Sequence, residues 1–172
     1  MRSPRPLPAD WFPSGLVDAP TICLVREILH RATTASHAGN SALWLASEDH
    51  LSAALGIGPH ADHFVGTFEQ PLEHGIISLV YASGQPFCEN SIADNPDHSP
   101  ILDTKLQIRT DAMIAVPIAV MGEFSGVLTC VHTRPSDSGD PPAEFESSDL
   151  AEFEFAAACI GRILDAALLT AG

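Results

Sequence analysis

The longest apolar stretch of the chain, Ala112 to Arg134 (AMIAVPIAVMGEFSGVLTCVHTR), reads as two strands joined by a tight turn at MGEFSG. Ile114 to Met121 and Val127 to Val131 are almost entirely apolar or small. Such runs fit strands covered on both faces and not strands with one wet face. Gly122 and Gly126 suit backbone positions that need positive φ or are crowded by a neighbour. The pattern therefore predicts a central sheet, with helices on one face and a second cover on the other.

Before this hairpin, the apolar spacing changes period. Ile22, Val25, Ile28, Leu29 and Ala32 recur at helical intervals and predict a helix over 20–36. Asp18 is placed to cap it, Pro20 suits its first turn and Gly39 closes the segment. Ser41–Ser47 and Leu51–Ile57 have strand composition and form a hairpin across Glu48-Asp49-His50. The stretch 58–64, with Gly58, Pro59 and two histidines, reads as a loop, and 65–72 as a short strand followed by a turn. A short helix is expected over 74–83, ended by Gly84 and Gln85-Pro86, and a strand over 87–92. The run 93–111 contains ADNPDHSP and lacks strand character, apart from a helical turn or two at 101–108. A connection of this length inside a compact domain reads as a lid. After a Pro/Gly/Ser/Asp loop at 135–143, a last helix is expected over 148–169. Its first turn is acidic, with Asp149 and Glu152 resembling a capping box. Leu150, Phe153, Ala157, Ile160 and Leu164 form one stripe, while Phe155, Ile163 and Leu168 lie off it. A helix apolar on more than one side implies a second partner, and together with Ile28 these residues predict a homodimer through the terminal helices.

Composition narrows the function classes. The chain has 172 residues, enough for one core, with 45% hydrophobic and 17% charged residues. Its formal net charge is −14, from 22 acids against 8 Lys plus Arg. That balance argues against nucleic acid and against an anionic membrane, both of which need a basic face. The start, MRSPRPLPADWFPSG, lacks a signal-peptide core, and no run reaches the ~20 apolar residues of a membrane span. A cytoplasmic protein is expected. Residues 1–17 are expected to be an extended, proline-rich arm pinned by Trp11 and Phe12, ahead of a single domain over 18–172. Cys23, Cys88, Cys130 and Cys159 are widely spaced without a C-x-x-C pair and read as reduced thiols.

The segments Gly75 to Pro96 (GIISLVYASGQPFCENSIADNP) and Ala112 to Cys130 (AMIAVPIAVMGEFSGVLTC) resemble a GAF domain, a small-molecule sensory module related to PAS domains. The resembling features are a helix ending in G-Q-P before a strand, then a V-P-I strand, a tight turn and G-V-L. The likeness spans about 19–169. It implies an α+β fold: a central antiparallel sheet of roughly five or six strands, terminal helices on one face, and a lid with short helices on the other. The terminal helices would pair with a second copy. A pocket would lie under the long connection, walled by Gly75–Leu79, Phe87–Asn90, the lid and Met113.

The candidate ligand-binding residues are accordingly Ile76, Leu79, Cys88, Asn90, His98, Arg109 and Met113. No cofactor is identifiable, no catalytic residue is assigned, and the motif does not name a ligand. His98 could be a haem ligand or a solvated turn histidine. Arg109 could receive a carboxylate or phosphate, or pair with Asp103 or Asp111. His60 and His63, with His50, could form a metal pair or be surface histidines. A GAF subfamily reduces free methionine sulfoxide with cysteines in and beside the lid, but here 93–111 contains none. Phytochrome-type bilin attachment lacks its motif, as does cyclic-nucleotide binding. Three readings result: a stand-alone sensory module that binds a small molecule or a signalling partner, a thiol-dependent methionine sulfoxide reductase, and a ligand-free dimer module.

Overall fold

A computed structural model describes residues 17–171. The elements in chain order are α1 (Ala19–Ala35), β1 (Asn40–Ala46), β2 (His50–Ile57), α2 (Ala61–Phe64), β3 (Glu69–Pro71), α3 (Ile76–Ser83), β4 (Phe87–Glu89), a 3-10 turn (Ile92–Asp94), α4 (Ile101–Leu106), β5 (Ile108–Val120), β6 (Glu123–Pro135) and α5 (Ser147–Ala171). One six-stranded antiparallel sheet has the order β3-β2-β1-β6-β5-β4. The expected arm and its Trp11 and Phe12 anchors lie outside the described residues, apart from Val17, which is buried.

The central hairpin forms as the apolar runs predict, but its turn is shorter. Val120 already pairs with Glu123, so only Met121 and Gly122 lie in the turn, both at positive φ (52° and 79°). That is the backbone of a two-residue hairpin matched to strand twist. Gly126 sits within β6, where an added Cβ would stand 2.0 Å from the Trp44 carbonyl oxygen. Asp18 caps α1, its Oδ1 accepting from the Thr21 N–H at 2.9 Å. The segment expected to be a loop at 58–64 contains the single turn α2, and β4 is confined to 87–89.

Both faces of the sheet are covered, by different things. On one face α1 and α5 pack Val25, Leu29, Phe153, Ile160 and Leu164 onto Leu43, Ile114, Val116, Ile118, Leu128 and Cys130. On the other, α2, α3 and the 3-10 turn bring Phe64, Ile76, Val80 and Ile92 onto Trp44, Met113, Ala115 and Val127. One irregularity sets which residues of β5 reach which face. Thr110 pairs with Thr133 and Ala112 with His132, so Asp111 is an extra residue, a β-bulge. Without it Thr110 and Ala112 would share a face. With it, Ala112 and Ile114 join the α1/α5 core while Ile108, Thr110 and Met113 face the other way.

Candidate functional site

The second face encloses a cavity of about 80 Å³ between the sheet and the segment 60–106. Its floor comes from alternate residues of the strands: Ala42 and Trp44 of β1, Thr129, Val131 and Thr133 of β6, and Ile108, Thr110 and Met113 of β5. Its roof and walls come from Phe64, Phe68, Ile76, Leu102 and Leu106, with His60, Gln70 and His98 among the polar members. Trp44 stacks on Phe64 (centroids 5.9 Å apart, 12° between planes) and meets Phe68 edge-on at 6.1 Å. These offset and edge contacts hold the aromatic end of the cavity in a defined shape.

The roof is lightly built. No residue of α4 is fully buried. Leu102 and Leu106 are half-buried against the lower layer, and Ile101 is exposed. What holds α4 down is Asp103. Its carboxylate accepts from the Thr110 backbone N–H and hydroxyl, both at 2.8 Å, while the His98 Nε2 stands 3.3 Å from Oδ2. The side chains of His98 and Asp103 are only 12% and 17% exposed. Burial alone would raise the Asp103 pKa, but the hydrogen bonds from His98 and Thr110 outweigh it and hold the carboxyl below its ordinary value. The bulge at Asp111 is what turns Thr110 toward this latch.

The seven candidate residues from the sequence separate into two groups. Ile76, His98 and Met113 line the cavity. Leu79, three residues along α3 from Ile76, is exposed and does not line the cavity. Cys88 is exposed on β4, opposite Ile114, whose side chain belongs to the α1/α5 core. Asn90 clamps the loop before α5: its Nδ2 donates to the Phe145 carbonyl at 2.9 Å and its Oδ1 accepts from the Phe145 N–H at 2.8 Å. Arg109 points away from the cavity. Its Nε lies 3.8 Å from Asp111, a carboxylate held more closely by Arg134 at 3.0 Å.

None of the four cysteines lines the cavity. Cys130 is buried under the helices, and that burial pushes its thiol far up, away from the thiolate a nucleophile needs. Among the described residues no group of three or more His, Cys, Asp or Glu could hold a metal ion. No helix among them is long and apolar enough to cross a membrane. Of the residues expected at a dimer face, Ile28, Ile163 and Leu168 pack partly against the chain's own core, whereas Phe155 is 68% exposed. Leu24 of α1 and Leu169 of α5 are exposed large apolar residues that the sequence pattern did not single out.

A family model described as GAF domain matches residues 20–164. No curated protein matches the sequence significantly. Solved structures similar to this one include the GAF domain of a phosphoenolpyruvate-protein phosphotransferase (ptsP) from Coxiella burnetii, at 17% identity and TM-score 0.71, covering 92% of this chain and 91% of that chain. The GAF-B domain of DevS from Mycobacterium smegmatis is similar at 14% identity and TM-score 0.63, covering 87% and 96%. Free methionine-R-sulfoxide reductase from Neisseria meningitidis, solved in complex with its substrate, is similar at 16% identity and TM-score 0.61, with full coverage of both chains. At these identities the likeness is one of fold.

Proposed function

This chain belongs to the GAF domain family, and from that premise we propose that it is a sensory module in which a small molecule occupies the cavity beneath α4. The observation that carries this reading is the contrast between a lined, roofed cavity and the light, latched construction of its roof. Lifting α4 requires breaking the Asp103–Thr110–His98 contacts and exposing two half-buried leucines, far less than unfolding a core element. An occupant would bias the roof toward its closed state by its differential affinity for that state. The signal would pass through β5, which carries Thr110 and Met113 on the cavity side and Ile114, Val116 and Ile118 against α5. Exposed Phe155, Leu24 and Leu169 on the terminal helices supply a surface for a homodimer or a signalling partner.

A thiol-dependent reductase of free methionine sulfoxide is the rival reading, favoured by the likeness to a structure of that enzyme. The placement of all four cysteines outside the cavity supports the non-catalytic reading, since a sulfoxide in the cavity would have no thiol beside it. Native mass spectrometry of the protein purified from its own host tests the proposal. A stoichiometric small-molecule adduct, lost when Met113→Trp fills the cavity, is expected. Thiol-dependent turnover of methionine sulfoxide would establish the rival.

A further inference from the structure

A buried threonine on the cavity floor determines what an occupant must offer. Trp44 is 2% exposed, and its indole Nε1–H donates to Thr129 Oγ1 at 2.9 Å. An indole nitrogen only donates, so Thr129 Oγ1 can only accept in that bond. The hydroxyl proton of Thr129 is left over, and among the described residues no other hydrogen-bond partner of that hydroxyl is found. Thr129 is itself only 4% exposed and lines the cavity. Four residues further along β6, about 13 Å away on the same face, Thr133 Oγ1 accepts from Asn40 Nδ2 at 3.1 Å and also lines the cavity. Each hydroxyl, engaged as an acceptor from behind, has a proton left to donate, and of the two Thr129 is the buried one. A buried donor without an acceptor carries a desolvation cost, so this floor favours a molecule that brings one.

The rest of the wall restricts charge. No Lys or Arg lines the cavity. Its one carboxylate, Asp103, already accepts from Thr110 and faces His98. An anion would meet the Asp103 carboxylate with no Lys or Arg to balance it, and a cation would compete for a carboxylate whose oxygens are engaged. Size restricts it further. The cavity of about 80 Å³ is roughly half the ~150 Å³ of an engineered cavity that admits benzene.

We infer that the cavity selects a compact, uncharged molecule with an apolar body and a single strong acceptor, such as a carbonyl or sulfinyl oxygen, directed at Thr129 Oγ1. This inference rests on the sensory reading above and specifies the chemical class of its ligand. Acetone, dimethyl sulfoxide, acetate and guanidinium are small probes of nearly equal size that differ in charge and in acceptor. The Trp44 indole resonance, distinguished from that of Trp11 with Trp11→Phe, reports the bond behind Thr129 directly. Acetone and dimethyl sulfoxide are expected to shift it saturably, with affinities on the order of millimolar. Thr129→Val should weaken them about tenfold and Thr129→Ser should restore them. Thr133→Val leaves the Trp44–Thr129 bond in place and lies about 13 Å along β6 from Thr129, so it should leave their affinities unchanged and controls for misfolding. Tighter binding of acetate or guanidinium, or acetone binding unaffected by Thr129→Val in folded protein, overturns the inference. A charged adduct on host-purified protein also overturns it while leaving the sensory reading intact. Silence of all four probes together with an empty host-purified protein removes both.

Discussion

The two faces of one sheet carry different burdens. Under α1 and α5, Phe153, Ile160, Leu164, Leu29 and Ile114 are fully enclosed, and Gly161 brings α5 so close to β5 that a Cβ would stand 2.5 Å from the Ala119 carbonyl oxygen. Under α2–α4 the same strands meet an unfilled space and a roof helix with no buried residue. The first face is a jigsaw in which every methylene counts. The second gives up packing for room. Within a fold this small, the packed face supplies the stability that the cavity face gives up.

The contrast is broken most forcefully on the helix face. Phe153→Ala is expected to cost about 3–5 kcal/mol, while Met113→Ala on the cavity face should fall at or below ~2 kcal/mol, because it enlarges an existing space. Denaturant midpoints of the two variants compare the faces directly, and equal losses would contradict the account. Gly161→Ala should cost about 1–3 kcal/mol by forcing α5 away from Ala119, with m unchanged.

On the cavity face, Asp103→Asn should cost about 1–2 kcal/mol by weakening the charge-assisted bonds to Thr110. The folded-state pKa of Asp103 is depressed, so its contribution is present above the ordinary carboxylate value and is lost as pH falls through the depressed one. The protection of the Thr110 amide, its exchange rate taken against that of the unfolded chain at the same pH, should therefore fall in acid in the wild type, and the Asn variant should abolish that pH dependence. The smallest effect on stability is expected from Phe155→Ser, within ~0.5 kcal/mol. Sedimentation at micromolar concentration should nonetheless shift toward monomer if this exposed ring lies at a homodimer face.

How much of this could be read from the chain followed from periodicity. The paired apolar runs of β5 and β6 announce a sheet covered on both faces, and the Asp18 cap and helical stripe announce α1. Side-chain parity is where the reading failed. Period-2 counting across Arg109 to Met113 puts Arg109, Asp111 and Met113 on one face, but the extra residue at Asp111 reverses the alternation, sending Arg109 to the helix side and Met113 to the cavity. Cys88 and Asn90 sit within the expected segment, yet one stands opposite the core residue Ile114 and the other clamps Phe145, a contact across 55 residues that no local pattern reveals. Trp44, Phe64, Phe68, Thr110 and Thr129, which shape the cavity, went unremarked because they converge from separate segments, and Asp103 was considered only as a partner for Arg109. The one available signal was Trp44 itself, a large residue with a polar tip in the middle of an otherwise apolar strand.

Native-state hydrogen exchange compares the opening of the two faces amide by amide. The amides of α4 and of Thr110 are expected to exchange through a local opening well below the global unfolding free energy, while those of α5 around Phe153 and Ile160 exchange only with global unfolding. Exchange of α4 at the same free energy as α5 would mean that the roof is part of the core and does not open over a site.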